Sequence, residues 1–214
     1  LSRNTAEGFV YRVDARLRPF GSAGPLSVSL AALEAYLLQH GRDWERYAYI
    51  KARVVNPWDD ADGLYRDVLR PFIYRRYLDY GVFSSLREMK AMIAAEVEKK
   101  EYRANLKLGP GGIREIEFIV QALQLVRGGT VMGLRQQQLL RALPQLVQAG
   151  CLPAADAADL ETAYRFLRLA ENRVQALHDR QTHDIPADAL DQQRLALAMG
   201  MAGWDEFLAA LNVQ

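Results

Sequence analysis

From Asp59 to the C-terminus the apolar residues of this chain recur at helical spacing, and no stretch there alternates with the period of a strand. That pattern predicts an all-helical domain with pieces near 61–79, 82–102, 112–127, 134–149, 154–180, 188–200 and 203–212. Gly81, the Gly109–Gly112 cluster, Gly128-Gly129, Gly150, Pro186 and Gly203 separate them. More than half of the chain is therefore expected in helix.

The first 56 residues read differently. Phe9, Tyr11, Val13, Ala15 and Leu17 alternate with Val10, Arg12, Asp14, Arg16 and Arg18, a period of two with one apolar and one mainly charged face. The segment from Pro19 to Pro25 is turn chemistry, and Leu26, Val28 and Leu30 alternate again, so a short second strand is expected to pair back. A two-stranded ribbon is not stable alone, so it is expected to belong to a larger sheet. Ser29 and Asp43 are placed to cap two helices, one ending at Gly41 and one reaching Val55. The expected fold is mainly α with a short N-terminal β ribbon, divided into 1–56 and 57–214 at Asn56-Pro57.

Half of the residues are hydrophobic and a quarter charged, which excludes a disordered chain. Cys151 is the single cysteine, so no disulfide scaffold is possible. No apolar run approaches the ~20 residues that span a bilayer, and LSRNTAEGF is no signal peptide, so a cytoplasmic location is expected. With 27 basic and 26 acidic side chains the net charge is +1, which argues against general nucleic-acid or membrane-surface binding. The first residue is leucine, and the chain is expected to be a piece of something longer.

Three features carry candidate chemistry. On the charged face of the first strand, cations favour ionised Asp14 as a metal ligand, and arginines offer planar forks to phosphate. A solvated charged face has the same pattern. In LGPGGIREIEFIVQ (108–121) glycines run into an apolar helix, so Gly111 and Gly112 are candidate anion contacts. A tight interhelix turn is the plainer reading. Along that helix Arg114, Glu117, Gln121 and Gln124 share one polar stripe, while Glu115 lies off it and suits a local ion pair. Lys51 and Arg53 are candidate phosphate contacts on an otherwise solvated helix face. His40, His178 and His183 lack zinc-site spacing, and Cys151 has no base near it in sequence.

Four phrases together resemble the bacterial glutamine synthetase adenylyltransferase/adenylyl-removing enzyme family: FVYRVDARLRPFGSAGPL (9–26), GRDWERYAYIKARVV (41–55), RPFIYRRYLDYGVFSSLREMK (70–90) and LGPGGIREIEFIVQ (108–121). RFLRLAENRVQ (165–175) agrees. The resemblance implies the end of a polymerase-β-like nucleotidyltransferase sheet followed by a helical domain similar to that of PII uridylyltransferases. It makes Asp14 the third carboxylate of a Mg²⁺ site whose first two, a D-x-D pair, would lie upstream. Arg16 and Arg18 become catalytic neutralisers of phosphate charge. Lys51, Arg53, Gly111, Gly112, Arg114 and Glu117 remain nucleotide-site candidates on spacing. Glutamine synthetase, PII signal protein, nucleotide and phosphate are the implied partners. RPFG..GPL, RDWERYA and GGIREIEF resemble the half that removes AMP by phosphorolysis to ADP. The adenylylating half and a non-catalytic docking module are the alternatives, and the chain alone is expected to be inactive.

Overall fold

The computed structural model describes residues 14–55, 61–76 and 104–213, with scattered helical positions between 84 and 95. Most of the first predicted strand, including Arg12, the proposed boundary at Asn56-Pro57 and most of the predicted helix 82–102 lie outside the described residues. The described chain is mainly helical. It forms two compact units, one from Leu1–Tyr49 with Arg53–Ile73, the other from Ile50–Ala52 with Tyr74–Gln214.

In the first unit the expected ribbon is not formed among the described residues: 14–18 and 25–29 are irregular. Their polar groups are satisfied locally instead of by a ladder. The Arg18 guanidinium donates to the carbonyls of Ala15, Gly24 (3.1 Å) and Ser22 (3.4 Å), closing the loop on itself. Helix α1 (Leu30–Gln39) starts at the expected cap, where Ser29 Oγ accepts from the Ala32 N–H at 3.2 Å. Gly41 follows it because a Cβ there would lie 2.5 Å from the Leu37 carbonyl and against the Phe72 ring.

Helix α2 (Asp43–Tyr49) is capped by a different residue from the one expected. Asp43 sits in the first turn, and the buried Glu45 carboxylate reaches back to the Arg42 N–H at 2.9 Å. Glu45 also accepts from the Tyr36 hydroxyl at 2.8 Å, tying α2 to α1. The helix stops at Tyr49 and not Val55, because Ile50–Ala52 join the second unit, where Ile50 is buried and the Ala52 carbonyl accepts from Gln137. Residues 61–73 form α3, helical throughout with a π-turn at Leu64–Leu69. Its last carbonyls have no helical partner. Arg46, 1% exposed, supplies one: Nε donates to the Phe72 and Ile73 oxygens at 3.1 Å, and Nη2 to Ile73 O at 2.9 Å.

The second unit holds α4 (Ile113–Arg127), α5 (Leu139–Gln148), α6 (Ala154–His178), α7 (Ala189–Ala198) and α8 (Trp204–Val213). Their apolar faces meet in one core that includes Ile113, Ile116, Val120, Leu143, Leu146, Leu167, Val174, Leu195 and Phe207. Ile119, at helical spacing from Ile116 on the same helix and so a core candidate by periodicity, is exposed. The helix expected from residue 134 begins at Leu139. Gln124 explains the delay: its buried Nε2 donates to the carbonyls of Leu134 (2.6 Å) and Gln136 (2.8 Å), holding that segment out of helix. A single antiparallel bridge, Asn105 with Asp184, joins the approach to α4 to the loop after α6. The N–H of Leu106 bonds the His183 carbonyl, and that of Ile185 the Ala104 carbonyl, both at 2.8 Å. Among the described residues no helix is long and apolar enough to cross a membrane.

Candidate functional site

The glycine turn is built from its own backbone. Asn105 Oδ1 accepts the N–H groups of Lys107 (3.1 Å) and Leu108 (2.8 Å). The N–H groups of Ile113 and Arg114 bond the carbonyls of Leu106 (3.1 Å) and Lys107 (3.0 Å), and that of Gly112 bonds Gly109 O at 2.9 Å. The Gly111 N–H donates to Glu115 Oε2 at 2.7 Å, so Glu115 serves the turn locally, with a backbone partner in place of an ion pair. The donors that a phosphate would need at the start of α4 are thus already used. Gly111 holds φ +69°, and a cleft of about 290 Å³ opens between the turn and Leu167, Ile185 and Leu211. At Gly112 a Cβ would sit 2.8–3.0 Å from three backbone carbonyls, those of Gly109, Leu106 and Lys107. Gly112→Ala is therefore expected to destabilise the second unit by about 1–3 kcal/mol, whereas Gly111→Ala meets no steric contact and carries only backbone strain. Chemical denaturation of the two variants side by side checks this, and equal stabilities would contradict the turn geometry.

Along α4 the polar stripe becomes more buried with each turn. Arg114 is exposed, Glu117 is half-buried, and Gln121 and Gln124 are buried. Glu117 Oε1 holds Lys51 Nζ at 2.5 Å, so the structure brings these two candidates together although they lie 66 residues apart. Tyr164 on α6 lies beside them. Burial, then the charge of Glu117, pushes its phenol above the ordinary value.

Two turns further along α6, Glu171 is almost fully buried and doubly paired, to Arg168 Nη1 at 2.7 Å and His183 Nδ1 at 2.8 Å. Sequence reasoning missed Tyr164, Glu171 and His183. A signal existed: Glu171 falls in register with Leu167 and Val174, on the buried stripe of its helix. Burial, then the nearby Lys107 charge, lowers the His183 pKa against the opposing pull of Glu171 and Asp184. A histidine with a depressed folded pKa stays neutral while the unfolded chain already takes up a proton near 6.5. Its stabilisation is present above that pH and is lost as pH falls. The melting temperature is expected to drop more between pH 7.5 and 5.5 in the wild type than in His183→Gln, and an unchanged difference would contradict it.

In the first unit Asp14 and Arg16 form a two-pronged pair, with Arg16 Nη2 to Oδ2 at 2.6 Å and Nε to Oδ1 at 3.0 Å. The Arg16 N–H also bonds Oδ1 at 3.0 Å. Both side chains are exposed. Arg18 spends its guanidinium on loop carbonyls, and Arg53 is exposed. Among the described residues no group of three or more His, Cys, Asp or Glu side chains could hold a metal. Asp14 alone, with its oxygens engaged by Arg16, does not build a Mg²⁺ site from these residues.

Residues 87–214 match the GlnD PII-uridylyltransferase family, and the chain belongs to it. Residues 1–65 match the glutamate-ammonia ligase adenylyltransferase family. Over all 214 residues the chain is 52% identical to the bifunctional glutamine synthetase adenylyltransferase/adenylyl-removing enzymes of Stenotrophomonas maltophilia (strain R551-3) and Xanthomonas axonopodis pv. citri (strain 306). It spans 23% of the length of these relatives.

Proposed function

We propose that this chain is part of an enzyme that controls glutamine synthetase by reversible adenylylation, and that it lies in the half that removes AMP. The observation that carries the reading is the 52% identity over all 214 residues to bifunctional enzymes of that name. The phrases RPFG..GPL and GGIREIEF favour the removing half over the adenylylating one. In the proposed reaction an oxygen of inorganic phosphate attacks the phosphorus of a tyrosine-bound AMP. The P–O bond to phosphate forms, the bond to tyrosine breaks, and the phenolate takes a proton from solvent, leaving ADP and free tyrosine.

Negative charge on the phosphoryl oxygens must be met by fixed cations. Arg16, aligned by Asp14 in the first unit, is the cation this reading assigns to that charge, and Lys51, held by Glu117, is a separate candidate within the second unit. Arg18 and the Gly111–Gly112 turn act instead as braces of their loops. Mg²⁺ belongs to the reading only with carboxylates beyond these residues, and no step is drawn through it. PII protein and glutamine synthetase are the proposed macromolecular partners, and the cytoplasm the proposed location.

The test is phosphate-dependent formation of ADP from adenylylated glutamine synthetase by the full-length parent. ADP equal to the AMP lost supports the reading. Loss of AMP without any phosphate requirement contradicts it.

A further inference from the structure

Residues 50–55 lie outside any helix, yet Ile50, Lys51 and Ala52 belong to the second unit, while Tyr49 before them and Arg53 after them belong to the first. Three anchors hold this short strap. The Ile50 side chain is buried. The Lys51 ammonium is held by Glu117 Oε1 of α4 at 2.5 Å. The Ala52 carbonyl accepts from Gln137 Nε2 at 2.5 Å. The polar anchors reach solvent: the Lys51 side chain is 40% exposed, and Gln137 is exposed. Dissolved salt weakens an ion pair of that kind, whereas the Ile50 contact has no charge to screen. The half-buried Tyr164 phenol also donates a hydrogen bond to Glu117, so the carboxylate keeps a donor when Lys51 leaves. The departing ammonium is solvated at the surface. Parting the two therefore avoids the penalty of a lone buried charge that holds a fully buried pair shut. A segment with few anchors and no helical ladder opens ahead of the unit on which it sits.

We propose that residues 50–52 form a salt-sensitive latch on the second unit, held closed by the Lys51–Glu117 ion pair and able to open while the helices beneath it stay folded. Ile50 supplies an apolar hold that salt does not screen, and the ion pair supplies the part that ions compete for. Opening frees the chain between Tyr49 and Arg53 from the second unit, a tether that the full-length parent can loosen or tighten without unfolding. The latch stands on this geometry and holds whichever reaction the parent catalyses.

The experiment is limited digestion of the native full-length parent with a protease that cuts after lysine, the fragments being identified by mass. When reclosing outpaces cutting, the rate at a site follows the population of its open form. Lys107 is the internal reference: its N–H bonds Asn105 and its carbonyl bonds the Arg114 N–H, so cutting there reports loosening of the second unit itself. The quantity read is cutting after Lys51 relative to cutting after Lys107. In wild type this ratio is expected to rise several-fold between about 0.05 and about 0.5 M sodium chloride, as the ion pair is screened. Glu117→Gln is expected to raise it about three- to tenfold at low salt and to abolish its salt dependence. Glu161→Gln, which breaks the exposed α6 pair with Arg165, is expected to behave as wild type. A wild-type ratio indifferent to salt overturns the latch whether or not the variants fold. An unchanged ratio in Glu117→Gln, a ratio there that still climbs with salt, or an equal rise in Glu161→Gln also overturns it.

Discussion

Replacing Arg46 with Ala is expected to cost the first unit about 3–5 kcal/mol. The guanidinium is 1% exposed, and its contacts include two to Ile73 O, one to Phe72 O and one to Asp43 Oδ1 at 3.1 Å. Truncation leaves the carbonyl end of α3 buried without donors and empties the space of the long side chain. Removing one member of a buried charged network usually costs this much, because the rest stays desolvated. Arg46→Lys keeps the charge but lacks the planar fork that serves two carbonyls and a carboxylate together, so an intermediate loss is expected. Hydrogen exchange of the α2 amides in the full-length parent is the direct readout, since local opening exposes them. Protection within 1 kcal/mol of wild type in Arg46→Ala would contradict the capping role.

Asp14→Asn is expected to lower AMP removal by the full-length parent about 10²–10³-fold, the usual cost of deleting one preorganised electrostatic group. The substitution is nearly isosteric, so packing is preserved. What disappears is the charge that holds Arg16 through contacts at 2.6 and 3.0 Å. An amide still accepts one hydrogen bond but no longer fixes both prongs of the guanidinium. Stability should change by less than about 1 kcal/mol, because the pair is exposed. The informative outcome is therefore a large loss of rate with an unchanged melting temperature. Loss of both together would mark Asp14 as structural.

Most of the helical architecture was legible in the sequence, because amphipathic periodicity survives wherever a helix packs on one core. The predicted piece at 154–180 matches Ala154–His178, and Ser29 caps α1 as expected. The departures share a cause, which is side chains that act at a distance in sequence. Gln124 delays α5 by capturing carbonyls ten and twelve residues on, and Arg46 ends a helix 26 residues away. Neither leaves a periodic trace. The β ribbon rests on alternation over residues most of which lie outside the described ones, and 14–18 and 25–29 are irregular. Of the candidate site, Lys51 and Glu117 are each legible as polar positions, on a charged helix face and on the α4 stripe, but their pairing across 66 residues is visible only in the structure. Gly111 and Gly112 were singled out for anion binding, yet the hydrogen bonds of Asn105 and Glu115 show how such a turn can be filled from within. The Glu171 hub stayed hidden because a glutamate in mid-helix ordinarily faces water.

The most direct measurement assays both directions on one full-length polypeptide carrying Asp14→Asn. Phosphate-dependent release of ADP from adenylylated glutamine synthetase is followed in one vessel, and ATP-dependent attachment of AMP to the unmodified enzyme in another. The account predicts that release falls at least a hundredfold while attachment proceeds near the wild-type rate. Release near the wild-type rate would reduce Asp14 to a surface charge, and loss of attachment with release intact would place this chain in the opposite half.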